Sequence, residues 1–166
     1  AAPYQYPVNW DCLRFSRGVI SHSNYSKQLA DQWYGADITQ NWAIIPLLCQ
    51  ENTGLDRRAA RMQLGLKDSD FLVCSFGFLG QTKLNHRLLA SWLESRLASD
   101  PHCYLVFVGQ NNPEQYGAEL LDTIQNSGYA DRIRITGFAS DSQYQNYLAA
   151  ADTVVQLRSL SRGESS

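Results

Sequence analysis

From Phe71 to Leu157 the sequence repeats one unit: an apolar strand-type run, a glycine-bearing turn, then a stretch with helical periodicity. No other feature constrains the fold as much. Strands separated by helices pair in parallel through crossovers, so the expected class is α/β with a doubly wound parallel sheet. Right-handed crossovers place helices on both faces and bring every strand-to-helix loop to one edge. Ligands of open α/β sheets bind at that edge.

The run Phe71-Leu72-Val73-Cys74-Ser75-Phe76 reads as a fully buried strand. A helix over 85–98 directs Leu88, Leu89, Trp92, Leu93 and Leu97 to the core. Residues 104–108 form the next strand, closed by Gly109. A helix over 113–127 starts with Pro113 in its first turn, buries Leu120, Leu121 and Ile124, and stops at Gly128. Residues 132–136 form an alternating strand, Asp141 or Ser142 caps a helix over 143–150, and 153–157 is a last buried strand. Upstream, 18–22 is a short strand. Ser23 caps a helix over 25–34 with Leu29 and Trp33 on one face, and Gly35 ends it. A strand over 43–45 follows, then a short helix over 57–64 capped by Asp56 and ended by Gly65.

The chain has 166 residues, of which 44% are apolar and 18% charged, which suits an ordered domain with a real core. The net charge is −2 and no Lys/Arg cluster is present, which argues against nucleic acid as a partner. No apolar run reaches the roughly 18 residues that a bilayer span needs. The first residues lack an initiating Met and the layout of a signal peptide, so the chain is expected to be a piece of a longer protein. Cys12, Cys49, Cys74 and Cys103 show no CxxC spacing and no neighbouring histidine, which predicts buried structural thiols in a reducing compartment. Asn24-Tyr25-Ser26 matches a glycosylation triplet but stands where a helix starts.

Two strand-end loops carry anion chemistry. In the turn 77–83, Gly77 and Gly80 let backbone approach a ligand closely, the following helix N-terminus offers free N–H groups, and Lys83 adds a full charge. That combination suits a diphosphate, although the turn is neither a P-loop nor a GxGxxG fingerprint. It is equally a glycine-punctuated turn with a solvated lysine. In the terminal stretch, Arg158 and Arg162 can clamp phosphate oxygens. The carboxylate of Glu164 can accept hydrogen bonds from sugar hydroxyls, with Gly163 and the hydroxyl of Ser165 beside it. The plain alternative is a polar surface loop with local ion pairs. The topology sends both loops to one edge, which favours a nucleotide-type ligand across them. Gly109-Gln110-Asn111-Asn112-Pro113 reads mainly as an Asx turn. Phe138 either stacks on a base or plugs the core. His22, His86 and His102 form no legible catalytic set, and Tyr144 and Tyr147 read as packing residues.

Taken in order, these segments resemble the retaining GT-B glycosyltransferases of family 4. Phe71 to Lys83 is similar to the family's strand–glycine turn–lysine segment, Leu105 to Gly109 to its second strand, and Ile133 to Phe138 to its third. Ala150-Ala151-Asp152 matches its Ala-Ala-Asp segment, and Glu164 stands at the first glutamate of E-x7-E. Phe78 occupies a position where the family often has arginine, and the second glutamate would fall beyond Ser166.

The resemblance implies the end of an acceptor domain and the interdomain crossing over 1–46, then part of a nucleotide-sugar donor domain over 47–166. It implies hexosyl transfer from a nucleotide-diphosphate-sugar to a hydroxyl of a sugar or lipid-linked glycan, with retained configuration, in polysaccharide or glycan biosynthesis. Lys83 would stabilise the departing diphosphate and Glu164 would orient the donor sugar. Gly77, Gly80, Phe138, Arg158, Arg162, Gly163 and Ser165 would complete the donor site, and no metal or other cofactor is needed. The implied setting is the cytoplasm, with peripheral contact to the inner face of the membrane left to parts outside this chain, which alone is expected to be inactive. A non-catalytic nucleotide- or partner-binding module and a GT-B sugar-nucleotide epimerase are the competing readings.

Overall fold

The computed structural model describes residues 7–47 and 54–159, which fall into two compact units. The first contains α1 (Pro7–Phe15), β1 (Val19–Ser21), α2 (Asn24–Tyr34) and β2 (Trp42–Ile44). β1 and β2 pair in parallel, Val19 opposite Trp42, with α2 between them. Ser23 caps α2 by accepting the Ser26 N–H at 3.2 Å, and Gly35, at φ 91°, ends it. Ala30 is the buried residue of α2, whereas Trp33, expected on one face with Leu29, is 38% exposed. Cys12 on α1 is exposed, which corrects the expectation of buried thiols throughout; Cys74 and Cys103 are buried, and Cys49 lies outside the described residues.

The second unit contains α3 (Arg57–Gln63), β3 (Phe71–Phe76), α4 (Asn85–Leu93), α5 (Arg96–Ser99), β4 (Cys103–Val108), α6 (Gln115–Asn126), β5 (Ile133–Ile135), α7 (Asp141–Ala150) and β6 (Thr153–Val154). Its four strands lie in the order β5-β4-β3-β6 and all pair in parallel, with Phe71 opposite Cys103, Leu105 opposite Ile133 and Val73 opposite Thr153. Strand alternation divides the buried residues into two cores. Val73, Leu105, Phe107 and Ile133 meet Leu89 and Trp92 of α4 and Leu120 and Ile124 of α6. Leu72, Cys74, Phe76, Val106 and Val108 face the other way, toward Ala60 of α3 and Tyr147 and Ala150 of α7. The sheet is doubly wound, as the sequence predicts. Complete burial of residues such as Phe107 and Leu105 contributes about 1.5–3 kcal/mol each.

Several boundaries differ from expectation. The helix expected over 85–98 breaks after Leu93, because Ser95 gives its hydroxyl to Trp92 O at 2.7 Å and caps α5 through the Leu97 N–H. Pro113 lies ahead of α6, whose entry is shaped by Asn112 Oδ1 accepting the Glu114 N–H at 2.8 Å, and Leu121 points outward at 42% exposure. α7 is capped by Ser140 in a reciprocal capping box with Gln143, two residues earlier than the helix expected from 143. β6 is a two-residue strand paired, among the described residues, with β3 alone, and Thr153 and Val154 are exposed, so the last strand is not buried.

A buried cation ties the amino edge of the sheet together. The Arg61 guanidinium, on α3, donates to Ala150 O and Lys67 O at 2.8 Å each, to Asp70 O, and to Asp152 at 3.2 Å. Asp152 also accepts the Leu72 N–H at 2.8 Å and pairs with Arg57. Arg132, expected to begin a strand, instead precedes β5 and seats its guanidinium over the Tyr129 and Trp92 rings while donating to Asp100 O and Ala98 O. No helix among the described residues is long and apolar enough to cross a membrane.

Candidate anion-binding edge

At the carboxyl edge of the sheet, the exits of β3, β4 and β5 are laced together. The Gly77 N–H donates to Val108 O and the Leu79 N–H to Gln110 O, both at 2.9 Å. A side chain at Gly109 would lie 2.6 Å from the Gly77 carbonyl carbon and 3.2 Å from its Cα, so here two backbones touch and only glycine fits. The Gly109 N–H donates to Thr136 Oγ1 at 3.0 Å, and that hydroxyl donates to Gly137 O at 2.9 Å.

The turn after β3 is held from inside. Asn85, 3% exposed, accepts the Gly80 N–H at 3.0 Å through its side-chain carbonyl. A 3-10 turn over Gln81–Lys83 follows, and Leu84, at φ 53°, is the only non-glycine residue with positive φ among the described residues. This kink separates the turn from α4, and the first amides of that helix, expected to be free, already have partners. Tyr116, reaching over from α6, accepts the His86 N–H at 3.1 Å through its hydroxyl, while the Arg87 and Leu88 amides bond back to Leu84 O. Burial raises the Tyr116 pKa, and the Asn85 and His86 amides bonded to its oxygen oppose that rise. Within the turn, the amides of Phe78, Gln81 and Thr82 have no hydrogen-bond partner among the described residues, the last two lying in the 3-10 turn itself.

Lys83 closes this turn by folding back over Gly77: a Cβ on Gly77 would collide with the lysine ammonium, and Gly77 holds φ 96°. Burial lowers the Lys83 pKa, and the positive charge of Arg158 lowers it further. Arg158 reaches this place because Val155 N–H continues the β6 pairing onto Cys74 O at 2.8 Å, and Ser159 N–H then donates to Thr82 O at 2.9 Å. The Arg158 Nε is buried and has no hydrogen-bond partner among the described residues. Among the described residues neither Lys83 nor Arg158 forms an ion pair.

Of the residues singled out from sequence, Gly77, Gly80, Lys83 and Arg158 therefore meet in one place. Phe138 stands on the loop after β5 at 86% exposure, which excludes the core-plug alternative. Asn111 and Asn112 serve the turn into α6, as the Asx reading predicts. Arg162, Gly163, Glu164 and Ser165 lie outside the described residues. Asn85, Tyr116 and Thr136 escaped the sequence reading. Asn85 carried a signal, since asparagine at a helix start is a capping residue. Tyr116 and Thr136 act across long sequence separations that periodicity does not register. A cavity of about 230 Å³ between α4 and α6 touches the turn only through Gln81 and has Leu89 and Leu120 among its lining residues.

No protein-family model matches the chain, and no curated protein matches it in sequence. Solved structures do resemble it in fold. HepE from Anabaena in complex with UDP and glucose superposes with a TM-score of 0.71 at 24% identity, over 95% of this chain and 42% of that one. Sucrose-phosphate synthase from Thermosynechococcus elongatus gives 0.66 at 22% identity, over 94% of this chain and 40% of that one. WaaG, a glycosyltransferase involved in lipopolysaccharide biosynthesis, gives 0.63 at 19% identity, over 96% and 44%. The chain thus spans less than half the length of these proteins and shares the Rossmann-like fold of their GT-B architecture.

Proposed function

We propose that this chain is the donor-binding part of a glycosyltransferase that moves a sugar from a nucleotide-diphosphate-sugar to a hydroxyl acceptor. One observation carries the reading: Lys83 seats its ammonium on Gly77, beside the open amides of Gln81 and Thr82, at the carboxyl edge of a sheet with the GT-B fold. Such a turn is organised for phosphate oxygens before any ligand arrives, and that preorganisation is what stabilises charge developing on a leaving group. As the bond from the anomeric carbon to the diphosphate breaks, Lys83 neutralises the oxygen that keeps the electron pair. The exposed Phe138 ring offers a face for the base.

In the same proposal Glu164 hydrogen-bonds the donor sugar, and Arg162, Gly163 and Ser165 complete the phosphate and sugar contacts. The transfer proceeds with retention, as in glycosyltransferase family 4, toward a sugar or lipid-linked glycan acceptor, and uses no bound metal. Titration calorimetry of the chain with UDP and with GDP, before and after Lys83→Ala, tests the nucleotide part. Binding of either nucleotide that weakens at least tenfold in the variant supports it, and no heat with either overturns it. For transfer itself, the longer protein containing this chain is assayed for sugar transfer in EDTA: full activity is expected, while loss reversed by a divalent cation overturns the metal-free mechanism.

A further inference from the structure

Lys83 and Arg158 come from different strand exits, yet the fold brings them together and supplies neither with an ion-pair partner among the described residues. Two like charges held in proximity without a counter-charge are unfavourable unless something negative joins them. The Arg158 Nε is a buried donor with no acceptor among the described residues, which is rare in a native fold. The segment is not free to swing away, because Ser159 is bonded through its amide to Thr82 O, within the same turn as Lys83.

We infer that Arg158 is the second cation of the anion site and that the Lys83–Arg158 pair matches a ligand with two adjacent phosphoryl groups. Lysine offers one compact charge and arginine a planar fork, so the pair suits two linked phosphoryl groups better than a single one. The inference rests on the nucleotide-sugar reading and sharpens it: β6, not only the turn after β3, contributes to diphosphate recognition. Phe78, 49% exposed within that turn, carries no charge to share the task.

Calorimetric titration of the whole chain with inorganic pyrophosphate, UDP, UMP and uridine, repeated on Arg158→Gln and Arg158→Lys, tests this. Wild-type protein is expected to prefer UDP to UMP and to bind pyrophosphate. Arg158→Gln should lose about tenfold or more for UDP and pyrophosphate, change little for uridine, and erase the UDP-over-UMP preference. Arg158→Lys should recover part of the loss. The exposed Arg134→Gln, on β5, should bind as wild type and controls for net charge. Unchanged UDP affinity in a natively melting Arg158→Gln overturns the inference while leaving the nucleotide reading intact, and so does an equal loss for uridine. Pyrophosphate binding without UDP or GDP binding keeps the role of Arg158 and overturns the nucleotide reading. No binding of any of these ligands overturns both.

Discussion

Arg61 Nη1 donates to Asp152 at 3.2 Å, joining the first helix of the second unit to the residue that precedes its last strand. The arginine side chain is only 3% exposed, and its remaining donors meet carbonyls of Lys67, Asp70 and Ala150. Removing it strands those acceptors and leaves Asp152 without its buried partner. Arg61→Met should destabilise the fold by about 3–5 kcal/mol in urea denaturation. Nucleotide affinity of the folded fraction should not change, because this network lies at the amino edge of the sheet.

The same edge sets the acid response. Burial pushes the Asp152 carboxyl up, but the Leu72 amide and the Arg57 and Arg61 guanidiniums outweigh it and hold its pKa below 3.8. For Asp70, burial is likewise outweighed, by the Lys67 amide and by His102. A carboxylate with a depressed folded-state pKa adds stability in full above its unfolded value, and that stability is lost as pH falls through the folded one. Melting temperature should therefore hold above pH 3.8 and drop below it. Asp152→Asn should lower stability near neutrality and flatten the acid limb, read by circular dichroism.

Lys83 has the opposite linkage. Its folded-state pKa is depressed, by burial first and by Arg158 second, so the charged lysine opposes folding below that pKa and the opposition fades as pH rises through it. Lys83→Met should thus melt at a higher temperature than wild type at neutral pH while losing at least tenfold in UDP affinity. A variant that melts lower without binding change would show that the lysine is simply a structural side chain.

Gly109→Ala directs a methyl into the Gly77 backbone. Neither chain can yield without parting the β3 and β4 exits, so a cost of about 1–3 kcal/mol in denaturant is expected. UDP affinity should fall as well, since Gly77 is the seat of the Lys83 ammonium.

Phe138→Ala removes an aromatic ring that the fold does not use. Stability should stay within about 0.5 kcal/mol of wild type. UDP affinity should drop about fivefold or more, while pyrophosphate affinity stays level, if the ring stacks on the base. Equal affinities for UDP in the two proteins would remove Phe138 from the site.

The parallel, doubly wound sheet was legible because apolar strand runs such as 71–76 and glycine stops are local signals, and the topology rules then fix which loops share an edge. Helix limits were less legible where one side chain decides them. Ser95 splits a helix that hydrophobic periodicity alone carries through, and Ser140 outcompetes Asp141 and Ser142 as a cap. The grouping of Gly77, Gly80, Lys83 and Arg158 followed from topology. The inner support from Tyr116 and Thr136 did not, because a hydroxyl reaching an amide about thirty residues away in the chain leaves no trace in spacing, whereas Asn85 holds Gly80 only five residues back and was open to a local reading.

The Tyr116 hydroxyl has a consequence for how any bound anion is retained. With the start of α4 already satisfied by another helix, the fixed dipole of that helix would contribute little, and in the proposed site the holding would fall chiefly to the side-chain charges of Lys83 and Arg158. Mobile counter-ions compete directly with such charges, so the proposed nucleotide affinity should weaken as ionic strength rises.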